Sequence, residues 1–302
     1  MLMLQNQEKI SIEALIAEIG KGGAMECTGL PDPCQAFLVA RLFREHPAPV
    51  ITVLPTARDA ERFIGDFLFF SRAEIEEVRY FAPYNLSPFK FVSYHNSTTA
   101  ERIRTLYRQA TEPGRRLTVT TMEALQRRVI PRAELTDFAE LVMAGEEIDR
   151  DHLLAKLIEG GYTRTAVAEE PGDFCVRGGI IDIFSPTYPE PLRIEMFGDL
   201  VESIRFFSSA TQRSLQTVDE AVILPAKEAI LNMARINEIV ARIRAQANRL
   251  EIPARKIRGI VEKIKTGGNF SGLEGLLPLI YPRLDTLLQY IPAGTRFVLD
   301  RK

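Results

Sequence analysis

The nine residues from Cys27 to Gln35, Cys-Thr-Gly-Leu-Pro-Asp-Pro-Cys-Gln, lie where an expected strand turns into the first long helix. Such a turn binds nucleotide when it reads GxxxxGK followed by Ser or Thr, because backbone N–H groups and the lysine then surround the phosphate oxygens. Here the lysine and the hydroxyl are missing, Pro31 and Pro33 have no N–H to donate, and Asp32 repels a phosphate. Lys21, in Gly-Lys-Gly-Gly, comes before the strand and is misplaced for that task. Near the other end, Phe297-Val298-Leu299-Asp300 imitates the apolar strand and Asp that hold Mg2+, but Arg301 follows in place of an acidic partner. A degenerate nucleotide fold accounts for both features, and no cofactor is expected in this chain.

Other catalytic chemistry has less support. Cys27, Cys34 and Cys175 form no CxxC pair, and the histidines, His46, His95 and His152, are scattered. The cysteines read as reduced, mostly buried thiols and the histidines as solvated, neither a metal site nor a nucleophile pair. The carboxylate pairs Glu146-Glu147 and Glu169-Glu170 read as solvated faces or loops. No catalytic residue and no metal ligand is assigned.

Binding chemistry is more visible. In Pro-Leu-Arg-Ile-Glu-Met-Phe, residues 191–197, strand alternation sends Leu192, Ile194 and Met196 to one face and Arg193, Glu195 and Phe197 to the other. The aliphatic face is core. An aromatic beside an Arg on the remaining face has the composition of an interface hot spot, unless Phe197 packs near the turn or under a neighbouring domain. Arg177 poses a similar choice: the following Gly178-Gly179 lets another backbone approach, yet a lone Arg is also an ordinary surface charge. Between Ile236 and Gly268 the charges are mostly basic (Arg242, Arg244, Arg249, Arg255, Lys256, Arg258, Lys263, Lys265), opposed by Glu238, Glu251 and Glu262. No aromatic interleaves them as a stacking platform, so this stretch reads as a solvated face or one that docks an acidic partner domain rather than as a nucleic-acid contact.

These residues need elements to position them. The first ~125 residues alternate helix and strand patterns, with Ala24–Leu30, Val50–Pro55, Val78–Pro83 and Arg115–Thr121 as candidate strands of an open parallel sheet. From about Pro131 to Ser214 the texture becomes short strands punctuated by Gly and Pro, with one helix ending on Gly160-Gly161 and a hairpin whose strands meet at Gly198-Asp199. That is a small α+β domain. Helical patterns then return, before a last apolar strand, Thr295–Asp300; a strand cut off so soon suggests a fragment of a longer polypeptide. At 302 residues the chain has room for more than one domain, and Lys+Arg 38 against Asp+Glu 40 lacks the footprint of a dedicated duplex binder. No apolar run spans a bilayer and no signal peptide opens the chain, so a cytoplasmic protein is expected.

Three long motifs carry a resemblance. Residues 170–186 (EPGDFCVRGGIIDIFSP), 191–214 (PLRIEMFGDLVESIRFFSSATQRS) and 223–228 (ILPAKE) are similar to the signature of the UvrB-homology region of transcription-repair coupling factors. Residues 78–89, 101–109 and 117–131 resemble the first domain of that family, and residues 272–292 its third segment. The resemblance implies a UvrB-like α/β fold: a degenerate P-loop-NTPase-like parallel sheet with an inserted small α+β domain. Its parts would be domain 1a at 1–130, domain 2 at 131–214, and domain 1b at 215–302 returning to pack on domain 1a. In the family, domain 2 binds the excinuclease subunit UvrA through an Arg of the VRGG strand and an Arg and a Phe of the hairpin strand. Those positions are Arg177, Arg193 and Phe197, with Glu195 on the same face as a weaker candidate. UvrB itself keeps a working nucleotide site and a long probing hairpin, whereas this chain has a broken loop and a short irregular segment after Tyr84. The implied role is recruitment of UvrA to lesions where RNA polymerase has stalled, without catalysis in this stretch. Polymerase and DNA would be engaged by domains beyond it, and the rest of the polypeptide could mask the UvrA face. The rivals are a UvrB-like ATP-dependent helicase fragment and a DNA-binding or autoinhibitory module.

Overall fold

The computed structural model of the chain describes residues 11–84, 96–112, 114–266, 269–270 and 272–300. The irregular segment expected after Tyr84 falls largely outside them. In chain order the elements are α1 (Ile12–Gly20), α2 (Asp32–Glu45), β1 (Val50–Leu54), α3 (Ala57–Ser71), β2 (Val78–Phe81), α4 (Asn96–Thr111), β3 (Leu117–Thr121) and α5 (Met122–Gln126). Then come α6 (Arg132–Phe138), β4 (Glu140–Met143), α7 (Arg150–Glu159), β5 (Thr163–Arg164), β6 (Asp173–Arg177), β7 (Ile180–Ile183), β8 (Leu192–Phe197), β9 (Leu200–Phe207), β10 (Ser214–Val218) and β11 (Glu220–Ile223). The chain continues through α8 (Ile236–Arg249), α9 (Ala254–Lys265), α10 (Leu277–Ile280), α11 (Leu287–Tyr290) and β12 (Arg296–Leu299). The fold is α/β, with a parallel sheet and further sheets.

Two compact units result. The first comprises the residues up to Pro83, Glu112–Gln126, and those from Ile291 onward. Its sheet runs β12-β1-β3-β2, every described pair parallel. The β-branched run of β1 is buried at every position, as expected of a strand covered on both faces. One sheet face (Val50, Leu54, Leu117, Val119, Val78) packs on Ala36, Val39, Ala40 and Phe43 of α2 and on Ala60, Phe63 and Phe67 of α3. The α3 helix begins at Thr56, whose hydroxyl accepts from the Asp59 N–H.

The strand expected at Ala24–Leu30 does not form beyond a single bridging residue, Met25. This stretch is short, interrupted by Gly29 and largely exposed, so it has no apolar face to bury. The fourth strand is β12, which lies parallel to β1 with Val50 opposite Arg296 and Val53 opposite Leu299. The thiols also depart from expectation: Cys175 is buried and donates to the Ala166 carbonyl, but Cys27 and Cys34 are exposed. Both flank the proline-rich turn, which has no core to enter.

The second unit comprises Tyr84–Thr111 and Arg127–Tyr290. Its largest sheet runs β10-β9-β8-β7-β6-β5, and β4 pairs with β11 in a separate two-stranded ribbon. One core joins Leu153 and Leu157 of α7 to Phe174, Ile181, Ile183, Leu192, Ile194, Met196, Val201 and Ile204 of the sheet and to Ala221 and Ile223 of β11. The α7 helix starts on Asp149, which caps the His152 N–H, and stops at Gly160, where any Cβ would strike the Phe138 ring. A second, polar nexus surrounds Glu228. Its carboxylate accepts from the Tyr84 hydroxyl at 2.8 Å and Arg102 Nε at 3.2 Å, and its carbonyl from the Tyr281 hydroxyl at 2.9 Å. Glu228 and Arg102 are both buried, and a buried carboxylate is tolerable only when paired and bonded in this way.

Candidate interaction face and residual nucleotide turn

The outer face of the second unit's large sheet is built by register. Successive strands place Cys175, Asp182, Arg193 and Arg205 in one cross-strand row, and Arg177, Ile180, Glu195 and Ser203 in the next. Because side chains alternate between faces, the row between them, Val176, Ile181, Ile194 and Ile204, points the other way into the core. The burial of β8 follows the alternation, with Leu192, Ile194 and Met196 buried and Phe197 exposed. Arg193, Glu195 and Phe197 thus share the face expected from sequence.

The centre of that face is a carboxylate the sequence pattern does not single out. Asp182, 1% exposed, accepts from Arg193 Nε at 2.7 Å and Arg193 Nη2 at 2.8 Å, and from Arg177 Nη2 at 2.7 Å. Arg193 is mostly covered, its guanidinium lying 4.5 Å over the Phe207 ring, whereas half of the Arg177 side chain remains exposed. The hydrogen bonds to Asp182 raise Arg193 above its ordinary value, so it stays charged. Asp182 is legible in the sequence only as the outward position of an Ile-Ile-Asp-Ile strand, a weak signal. Next to this group, Glu195 is paired with Arg205 and accepts from the Ser203 hydroxyl at 2.8 Å.

Phe197 stands at the end of the hairpin, 77% exposed, opposite Leu200, itself 38% exposed. The connecting Gly198 has φ 63°, the left-handed region that a two-residue hairpin turn demands. The hairpin tip is held from outside, since Val201 N–H donates to the Glu146 carbonyl and Ile148 N–H to the Asp199 carbonyl. The Gly178-Gly179 turn is also pinned: Arg150 donates to the Gly178 carbonyl at 2.6 Å, and a Cβ on Gly179 would lie 2.4 Å from the Met196 carbonyl oxygen. Four functional-type side chains are therefore presented on fixed backbone.

The first unit has a small depression lined by Asp32 and Gln35 of α2, Leu54 at the end of β1, Asp59, Arg62 and Asp66 of α3, and Asp300 after β12. Arg62 bridges Asp32 at 3.0 Å and Asp59 at 2.7 Å, and the remaining cavity is about 10 Å³, room for roughly one water. Lys21 pairs with Glu18 at 2.6 Å at the end of α1. Among the described residues no group of His, Cys, Asp and Glu is arranged to hold a metal ion, and no helix is long and apolar enough to cross a membrane.

Residues 141–228, which contain the whole Arg177–Asp182–Arg193 cluster and Phe197, match the UvrB interaction domain family. Over 268 residues the chain is 30% identical to the transcription-repair-coupling factor of Myxococcus xanthus, covering 87% of this chain and 22% of that protein. The corresponding protein of Bacillus subtilis is 29% identical over 283 residues, 90% of this chain and 24% of that one. That of Escherichia coli is 28% identical over 264 residues, 87% and 22%.

The chain belongs to the transcription-repair-coupling factor family, as its UvrB-homology region.

It spans less than a quarter of the length of these curated relatives. Within the family match lie both the cluster on the outer face and the β11 strand that completes the core beneath it.

Proposed function

We propose that this region recruits UvrA through the outer face of the sheet, with Arg177, Arg193 and Phe197 as principal contacts and Glu195 as a lesser one. The observation that carries the reading is the fixed juxtaposition of the half-exposed Arg177, the anchored Arg193 and the exposed Phe197 on one face of a UvrB interaction domain. An exposed aromatic on rigid backbone loses little conformational freedom on docking, and an Arg held by a buried carboxylate is already oriented. In the longer polypeptide, this recruitment would hand a lesion site, where polymerase has stalled, to the excision machinery. The polymerase contact, the principal DNA contacts, ATP-driven translocation and any masking of the UvrA face would belong to other domains.

The region itself is proposed to be non-catalytic. Arg62 and its two aspartates fill the turn where a nucleotide's phosphates would sit, and the aspartates oppose an anion. The deciding experiment is capture of purified UvrA by the 302-residue chain and by its Arg177→Ala, Arg193→Ala and Phe197→Ala variants. Capture by the parent and loss in the variants is the expected pattern; equal capture by all four removes the assigned face.

A further inference from the structure

The helical hairpin of α8 and α9 carries a charge imbalance that recruitment of UvrA does not use. The two helices bury Ile239, Val240, Ile243 and Ala247 of α8 and Ile257, Val261 and Ile264 of α9, which accounts for their apolar stripes. What they turn outward is mainly basic: Arg244, Arg249, Arg255, Lys256, Arg258 and Lys263 are all exposed, and none is in an ion pair among the described residues. Glu251 and Glu262 are exposed as well but bridge to none of them. In a chain of net charge −2 this makes a local positive lobe on an otherwise more acidic molecule. Opposite charges one turn apart support a solvated helix, and here only Arg242 has such a partner among the described residues, Glu238 at 3.8 Å.

We infer that the α8–α9 hairpin is an accessory contact for the phosphate backbone of duplex DNA. Guanidinium and ammonium groups without ion-pair partners, spread over two helices of about 21 and 18 Å, match a repeating polyanion, which they bind by displacing its counterions. An acidic protein partner fits less well. A stable protein interface needs about 800 Å² per side with an apolar centre, and among the described residues the outward face offers only the tip residues Leu250 and Ile252 as exposed large apolar side chains. The contact is with backbone and not with bases or single strands, because no aromatic lies between Ile236 and Gly268, and Phe270 after them already faces the Lys263 ammonium, 5.4 Å from its ring. It is sequence-independent and weak, in keeping with the chain's near-neutral total.

The test is fluorescence anisotropy of a labelled random-sequence duplex titrated with the whole chain at several salt concentrations, beside a variant combining Arg255→Glu, Lys256→Glu and Arg258→Glu. Since all three side chains are exposed, the variant should melt with the parent. The parent should bind at low salt and weaken steeply as salt rises. The variant should bind at least tenfold more weakly, with a log–log salt slope flatter by about 3, near one unit for each phosphate that is no longer neutralised. Absence of duplex binding at low salt, or a variant with the parent's affinity and slope, overturns the proposal. So does displacement of the duplex by poly-glutamate at equal charge concentration, which would assign the hairpin to an acidic protein.

Discussion

Arg193 grips Asp182 through two parallel hydrogen bonds, Nε and Nη2 lying 2.7 and 2.8 Å from the two carboxylate oxygens, in a pair of which Asp182 is 1% exposed. Arg177 reaches the same carboxylate from the solvent side at 2.7 Å. The two arginines of the proposed UvrA face therefore differ energetically. Arg193→Ala should cost about 3 kcal/mol of stability, because it leaves a buried carboxylate with one partner fewer. Arg177→Ala should cost under about 1 kcal/mol, as for other half-exposed pairs. Urea unfolding of the two variants measures this; equal costs would show that Asp182 does not organise the face. Arg193→Lys should not restore the parent, since an ammonium cannot replace the two-pronged contact.

Phe197 and its neighbour Met196 separate binding from folding. Phe197→Ala removes an exposed ring and should leave the melting temperature unchanged while weakening UvrA capture more than tenfold, the equivalent of about 2 kcal/mol at an anchoring aromatic. Met196→Ala opens a cavity in the core and should cost about 2 to 4 kcal/mol of stability. Thermal melts run alongside the capture assay distinguish them. A Phe197 variant that melts early and binds normally would put the ring in the core.

Excision of the small domain should depend on where its end is placed. Antiparallel pairing joins β11 to β4, Ala221 and Ile223 enter the core, and the Tyr162 hydroxyl donates to the Leu224 carbonyl. A piece spanning 132–228 should unfold cooperatively. One spanning 131–214 lacks these groups and should be weaker by at least about 3 kcal/mol, much of a small domain's stability. Circular dichroism melts of the two pieces decide it, and a 131–214 piece as stable as the longer one would make β11 dispensable.

Alkaline pH should destabilise the second unit. Burial pushes the phenols of Tyr84, Tyr162, Tyr281 and Tyr290 above their ordinary value of 10.0. An unfolded chain releases these protons near pH 10 while the folded chain retains them, so the folded state binds more protons and loses stability as pH rises past 10. Each phenol adds about 1.4 kcal/mol per pH unit to the slope. Burial raises the Tyr188 phenol in the same direction. Lys227 acts in the opposite sense: burial lowers its ammonium below 10.5, which gains stability with pH just under that value, one group against five. Urea midpoints between pH 9 and 11, followed with tyrosinate absorbance, should fall; a flat profile would contradict burial of these hydroxyls.

Mg-ATP should not bind measurably to the chain. Calorimetric titration is the check. The turn from Cys27 to Gln35 has no lysine, and Arg62 is engaged by Asp32 and Asp59. A dissociation constant in the micromolar range would overturn the degenerate-turn reading.

What the sequence alone determined was local and periodic. Alternation in residues 192–197 divided Leu192, Ile194 and Met196 from Arg193, Glu195 and Phe197, because successive strand residues point to opposite faces whatever they pair with. Gly198-Asp199 marked the hairpin turn, and apolar spacing marked α2, α3, α7, α8 and α9, since both signals are written within a few residues. The tertiary structure decided what depends on partners far away in the chain. The carboxylate shared by Arg177 and Arg193 exists only because three strands align in one register, and no spacing in the sequence specifies that alignment. The fourth parallel strand is β12 and not the Ala24–Leu30 stretch, since a parallel pairing is made between backbone groups far apart in the chain, which no local pattern specifies. Exposure of Cys27 and Cys34 follows for the same reason: residue type sets a preference for burial, but only the packed chain decides which surfaces have something to be buried against.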